Sequence, residues 1–73
     1  MGRLRVLSGR DVCAILVSQG FRQVRQRGSH VIMQRQVEDA TITVPVPDHR
    51  QIRIGTLQSI IRQSRLPRDL FED

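Results

Sequence analysis

The chain has 73 residues, 38% of them apolar, which predicts one domain spanning 1–73 with a thin core rather than a disordered tail. Twelve arginines, no lysine and seven acids leave a net charge of +5, pointing to a polyanion or an acidic protein partner. With only Phe21 and Phe71 aromatic, stacking on single-stranded bases is a poor candidate for the main mode of recognition, and contacts to a nucleic-acid backbone and helix shape fit better. The lone Cys13 can form neither an internal disulfide nor a metal cluster, which suits a reducing cytoplasm. Apolar stretches of at most six residues, the longest being Val12 to Val17, predict neither a signal peptide nor a membrane span.

Met1 to Leu7 read as a short basic lead-in. Ser8 then caps a helix over about residues 9–19, with Asp11 as the acidic half of a capping box and Leu7 stapled to Val12. Val12, Ile15 and Leu16 form its apolar face, widened by Cys13 and Val17. Gly20 provides a left-handed stop, and Phe21 packs back on the last turn. Three β segments follow. The first, about Phe21 to Gln26, alternates poorly and reads as an edge strand. Arg27-Gly28-Ser29 is a tight connection to the second, His30 to Arg35. Gln36 to Asp39 is turn-like, and Ala40 to Val44 is the most regular strand, with Ala40, Ile42 and Val44 on one face and Thr41 and Thr43 on the other. Pro45 and Pro47 end that strand and stiffen a loop through Asp48-His49-Arg50. A second helix, about Thr56 to Ser64 with Thr56 as its cap, carries Leu57, Ile60 and Ile61 at helical spacing. Pro67 breaks the chain before an acidic end, Asp69 to Asp73, long enough for one helical turn.

The order α-β-β-β-α predicts an α+β fold: a three-stranded antiparallel sheet with both helices on one face. That layout is the one found in the double-stranded RNA-binding domain, and other small α+β proteins share it.

The chemistry-bearing feature is the turn Gly28-Ser29-His30, preceded by Arg22, Arg25 and Arg27 and followed by Val31-Ile32. An imidazole can move a proton near neutral pH, and guanidinium groups recognise phosphate. Arg25 and Arg27 share a strand face and are the leading phosphate ligands, with Arg22 and Arg35 next. Gly28 lets the backbone approach RNA closely, and Ser29 can orient the histidine or a phosphate, or simply complete the turn. Arg50, Arg53, Arg62 and Arg65 are candidates for RNA or for an acidic protein surface. The plain alternative for His30 is a surface turn residue without a task. Register decides between them: His30 and Ile32 share one face and Val31 and Met33 the other, so His30 must lie on the open face, with Thr41 and Thr43, to reach RNA.

Four stretches resemble the HicA-type (YcfA-like) toxins of bacterial and archaeal toxin–antitoxin systems: Leu7-Ser8-Gly9-Arg10-Asp11-Val12; Gly20-Phe21 with Arg25-Gln26-Arg27-Gly28-Ser29-His30; Thr43-Val44-Pro45-Val46; and Gly55-Thr56-Leu57-Gln58-Ser59-Ile60-Ile61-Arg62-Gln63. The resemblance implies a double-stranded-RNA-binding-like fold, a ribosome-independent endoribonuclease acting on messenger RNA, and a HicB-type antitoxin that covers the site. It places the essential histidine at His30. The family often carries a second histidine soon after the valine-proline pair of the third strand, where this chain has Pro47-Asp48-His49. The expected chemistry is removal of the 2′-hydroxyl proton by His30, attack on the adjacent phosphorus, and arginine stabilisation of the charged oxygens, a scheme that needs no metal or cofactor. A monomeric free chain that forms a hetero-oligomer with its antitoxin, in the cytoplasm, completes the expectation. The alternatives are a non-catalytic RNA-binding module of the same fold and a small interaction protein whose charge serves an acidic partner.

Overall fold

Local chemistry sets both ends of the first helix. In this computed structural model, which describes residues 2–73, α1 spans Gly9–Ser18; Met1 of the basic lead-in lies outside the described residues. The Asp11 N–H donates to the Ser8 hydroxyl and the Ser8 N–H to the Asp11 carboxylate, both at 3.0 Å, so the capping box is reciprocal. Leu7 and Val12 are both buried, as a staple across the first turn requires. At the other end Gly20 has φ +94°, its N–H donates to the Val17 carbonyl and that of Phe21 to Leu16, a Schellman closure with Phe21 buried behind it. Val17 departs from the expected apolar face, since it is 56% exposed.

The strands are β1 (Arg22–Arg27), β2 (His30–Val37) and β3 (Ala40–Pro47), antiparallel in the order β1-β2-β3. β1 lies one residue later than expected at both ends, and two other strand boundaries move further. β2 runs on to Val37, because residues 36 and 37 still pair with Thr41 and Ala40. β3 continues through Pro45 and Pro47, which pair with Ile32 and His30. Prolines are tolerated there because β3 is an edge strand: at alternate positions their missing N–H groups fall on the free side of the ladder. A shift in register between Gln23 and Arg25 marks a β-bulge in β1, the physical reason its sequence alternates poorly.

The second helix, α2, spans Ile54–Ser64. Its N-cap is Arg53, which offers no side-chain hydrogen bond, so Thr56 lies inside the helix rather than at its cap. Ser64, fully buried, closes the far end: its hydroxyl donates to the Ile61 carbonyl at 2.8 Å and accepts from the Leu66 N–H at 3.2 Å. Arg65 then takes the left-handed conformation, φ 60°.

Both helices cover the sheet face that carries Met33, Ile42, Val44 and Val46, and both pack against β3. Val12, Leu16, Leu57 and Ile60 fill that interface, with Ile15 and Ile61 at its margin. The ends of the chain complete the core. A 3-10 turn, Arg68–Phe71, inserts Phe71 fully, and residue Leu4 bridges to Glu72 beside it. The Arg5 N–H donates to the Phe71 carbonyl and the Asp73 N–H to that of Arg3, both at 2.9 Å. Burying a side chain as large as Phe71 contributes about 3 kcal/mol, a large share for so small a core.

Candidate active site

The turn that precedes His30 is a two-residue hairpin loop, Gly28-Ser29, between the paired residues Arg27 and His30. Gly28 has φ +57° and Ser29 has no positive φ, the pattern of a hairpin that places glycine first. The loop is tied down from outside: the Asp48 N–H donates to the Ser29 carbonyl at 2.7 Å. His30 is thereby held between Arg27 on β1 and Pro47 on β3, at the first position of β2.

Register settles which way it points. Val31 and Met33 pair with Val46 and Val44 of the core, so His30 lies on the opposite, open face. It shares that face with Thr41 and Thr43, as the mechanism requires, but its direct neighbours are Arg27 and Pro47 because β3 runs on past Val44. Arg25 pairs with Ile32 and joins the same face. Arg22 pairs with Gln34 and joins it too, although it is three residues from Arg25; the extra residue of the bulge reverses the alternation between them. Arg22, Arg25, Arg27 and His30 are therefore brought together, all exposed. None of the three strands contains an acidic residue, so nothing on them competes for those guanidinium groups. Arg27, His30, Ile32 and Pro45 line a shallow depression of about 500 Å³, with Ile32 at 7% exposure supplying an apolar floor.

Arg35 is not part of this group. It pairs with Ile42, which puts it on the helix side of the sheet, half-buried, with its Nε 3.7 Å from where a Cβ on Gly20 would sit. There its guanidinium lies just past the C-terminal end of α1, where carbonyl groups favour a cation and the helix has no basic residue of its own in its last turn. His49 is exposed in the β3–α2 loop, and the part of it with a defined contact is its carbonyl, which accepts the Gly9 N–H at 2.8 Å. Among the described residues no group of three His, Cys, Asp or Glu side chains could hold a metal ion, and no helix is long and apolar enough to cross a membrane.

A family model for the HicA toxin of bacterial toxin–antitoxin systems matches residues 9–66. The chain belongs to the HicA toxin family. The match starts at the first residue of α1, ends just after α2, and takes in the hairpin that presents His30. Membership makes the protein the toxin of a toxin–antitoxin pair and implies an antitoxin partner. No characterised protein and no solved structure matches the chain.

Two features of the surroundings have no counterpart in the sequence reading. Gly9 touches β3 so closely that a Cβ on it would come within 2.2 Å of the Pro47 carbonyl oxygen. Its N–H bond to His49 fixes the same junction, so the start of α1 buttresses the segment that flanks His30. On the helix side of β1, Gln23 and Gln26 face a cleft instead of a core. Alternation in an unbulged strand would have flagged Gln26 as inward and polar, and only the bulge hides the same signal at Gln23.

Proposed function

We propose that this toxin is an endoribonuclease that cleaves messenger RNA with His30 as its general acid/base, and that a HicB-type antitoxin silences it by covering the open sheet face. The observation that carries the reading is the position of His30 on an open face whose charged groups are the arginines Arg22, Arg25 and Arg27. In this scheme the arginines hold the phosphates, and Gly28 and Ser29 bring the hairpin backbone to the RNA. A neutral imidazole takes the 2′-hydroxyl proton while the oxygen attacks the adjacent phosphorus. The P–O5′ bond breaks, leaving a 2′,3′-cyclic phosphate, and the departing 5′-oxygen takes up a proton to become a hydroxyl. Charge on the non-bridging oxygens falls within reach of the Arg27 side of the depression. Messenger RNA as substrate makes the cytoplasm the place of action. Arg35, on the other side of the sheet, takes no part in this scheme and serves the end of α1.

The test is incubation of the purified chain with a structured messenger RNA in excess EDTA, wild type beside His30→Ala. Loss of a general base lowers the rate by about 10²–10⁴-fold, with RNA affinity nearly unchanged. Cleavage by wild type alone, leaving 5′-hydroxyl ends, is the expected result. Equal cleavage by both proteins refutes the role of His30, and RNA binding without cleavage by folded wild type leaves a binding module.

A further inference from the structure

β1 overhangs the helical layer: both helices pack on β3, and neither packs substantially on β1. Gln23 and Gln26 sit on the helix side of β1, opposite Met33 and Val31, where an amphipathic strand carries core residues, yet both are exposed. With Arg10 and Cys13 of α1, Val31 of β2 and Asp48 of the β3–α2 loop, they line a cleft of about 360 Å³, within the size range of small-ligand sites. The cleft adjoins the candidate active site through the backbone. Gln26 precedes Arg27, and Asp48 is the residue whose N–H holds Ser29.

We propose that this cleft receives a base of the bound RNA and selects one with an exocyclic amino group, so that adenine, cytosine or guanine is accepted and uracil rejected. The proposal rests on the RNA reading above and adds to it a place where sequence is read. Three observations carry it. The lining is amphipathic in the way a base requires, with Val31 and Cys13 half-buried as an apolar wall and polar groups around it. Asp48 puts a carboxylate in the cleft, which repels a phosphate but accepts hydrogen bonds from an amino group. The two glutamine amides and Arg10 can donate to the ring nitrogen or carbonyl beside that amino group, the pairing by which such side chains read base edges. Uracil has no amino group, and its one ring donor, N3–H, is flanked on both sides by carbonyl oxygens that the Asp48 carboxylate repels. Because β1 is the free edge of the sheet, a phosphate chain held by Arg25 and Arg27 on the open face can turn a base over that edge into the cleft. Hydrogen bonding in place of stacking also suits a chain whose two aromatics, Phe21 and Phe71, are both buried.

The experiment uses the full chain carrying His30→Ala, to keep the RNA intact, with fluorescein-labelled hexamers of cytidine and of uridine. Anisotropy titrations should give about tenfold tighter binding of the cytidine hexamer, the low end of what one well-placed polar contact to a base discriminates. Adding Asp48→Ala should bring the ratio close to one, while the dependence of uridine-hexamer binding on salt, which reports phosphate contacts, stays the same. Gln23→Ala is the second variant and should reduce the ratio while leaving intact the hydrogen bond from the Gln26 amide to the Gly28 carbonyl in the hairpin loop. Equal affinity for the two hexamers, or a preference that survives both variants, overturns the cleft reading alone. Failure to bind either hexamer overturns it together with the RNA reading.

Discussion

Replacing Gly9 by alanine tests whether α1 braces the hairpin that presents His30. The added Cβ would stand 2.2 Å from the Pro47 carbonyl oxygen and 3.1 Å from Asp48 Cα, whereas ordinary van der Waals contact begins at 3.4 Å. Both obstacles are backbone, so no side-chain rotation relieves them, and the start of α1 must move away from the end of β3. Overpacking of this kind costs typically 1–3 kcal/mol, and contact of backbone with backbone puts it at about 3 kcal/mol. In a domain of this size each kcal/mol lowers the melting temperature by about 4–8 °C, so a fall of about 12–24 °C is expected by circular dichroism. The damage should spread to the site, because Pro47 pairs with His30 and the Asp48 N–H holds Ser29. Amide chemical shifts of residues 28–30 should therefore change in the variant. Gly55→Ala provides the contrast: it lies in the first turn of α2 with nothing within 4 Å of a Cβ, and the change should raise stability by about 0.5–1 kcal/mol through helix propensity. Two helical glycines thus give opposite signs. A Gly9→Ala protein that melts within a few degrees of wild type refutes the close junction.

Two further outcomes follow from the helix ends. Asp11 accepts hydrogen bonds from the Ser8 backbone and then the Ser8 hydroxyl, which, helped by Arg5, hold its carboxyl below the usual 3.8. A lowered folded-state value means that its contribution is complete above pH 3.8 and disappears as pH falls through the lower folded value; Asp11→Asn should therefore flatten the acid limb of a urea-stability profile below pH 3.8, and an unchanged limb contradicts the capping box. Arg65→Gly should raise the urea midpoint by the equivalent of about 0.5–1 kcal/mol, since relief of a left-handed non-glycine residue is partly offset by the freer unfolded chain, and a lowered midpoint refutes the assigned φ of 60°.

What could be read from the sequence was whatever depends on near neighbours along the chain. Ser8 with Asp11, and Gly20 with Phe21, define α1 because capping and left-handed closure involve residues within one turn. Likewise His30 shares the face of Arg25 and Arg27 because a two-residue hairpin fixes both strands' alternation. The same alternation places Arg35, an odd number of residues after His30, on the other side of the sheet; counting strand faces, rather than arginines near the turn, separates it from the group. Facts that depend on the whole fold were not legible. That β3 tolerates Pro45 and Pro47 follows from its place at the edge, that Arg22 joins the open face follows from a bulge, and that Gln23 and Gln26 border a cleft follows from where the helices do not reach. The pairing of Leu4 with Glu72 is the extreme case, since no local pattern signals it.

That pairing also fixes when the toxin can exist during its own synthesis. The β hairpins join residues close in the chain and can close as soon as they leave the ribosome, but the wall of the core that Leu4 begins is finished only by Phe71. A nascent chain that presents His30 while Phe71 is still in the exit tunnel lacks the packing that would hold the sheet rigid. Order in the open sheet face is thus deferred until Phe71 has left the tunnel and can pack beside Leu4, some forty residues after the histidine itself has appeared.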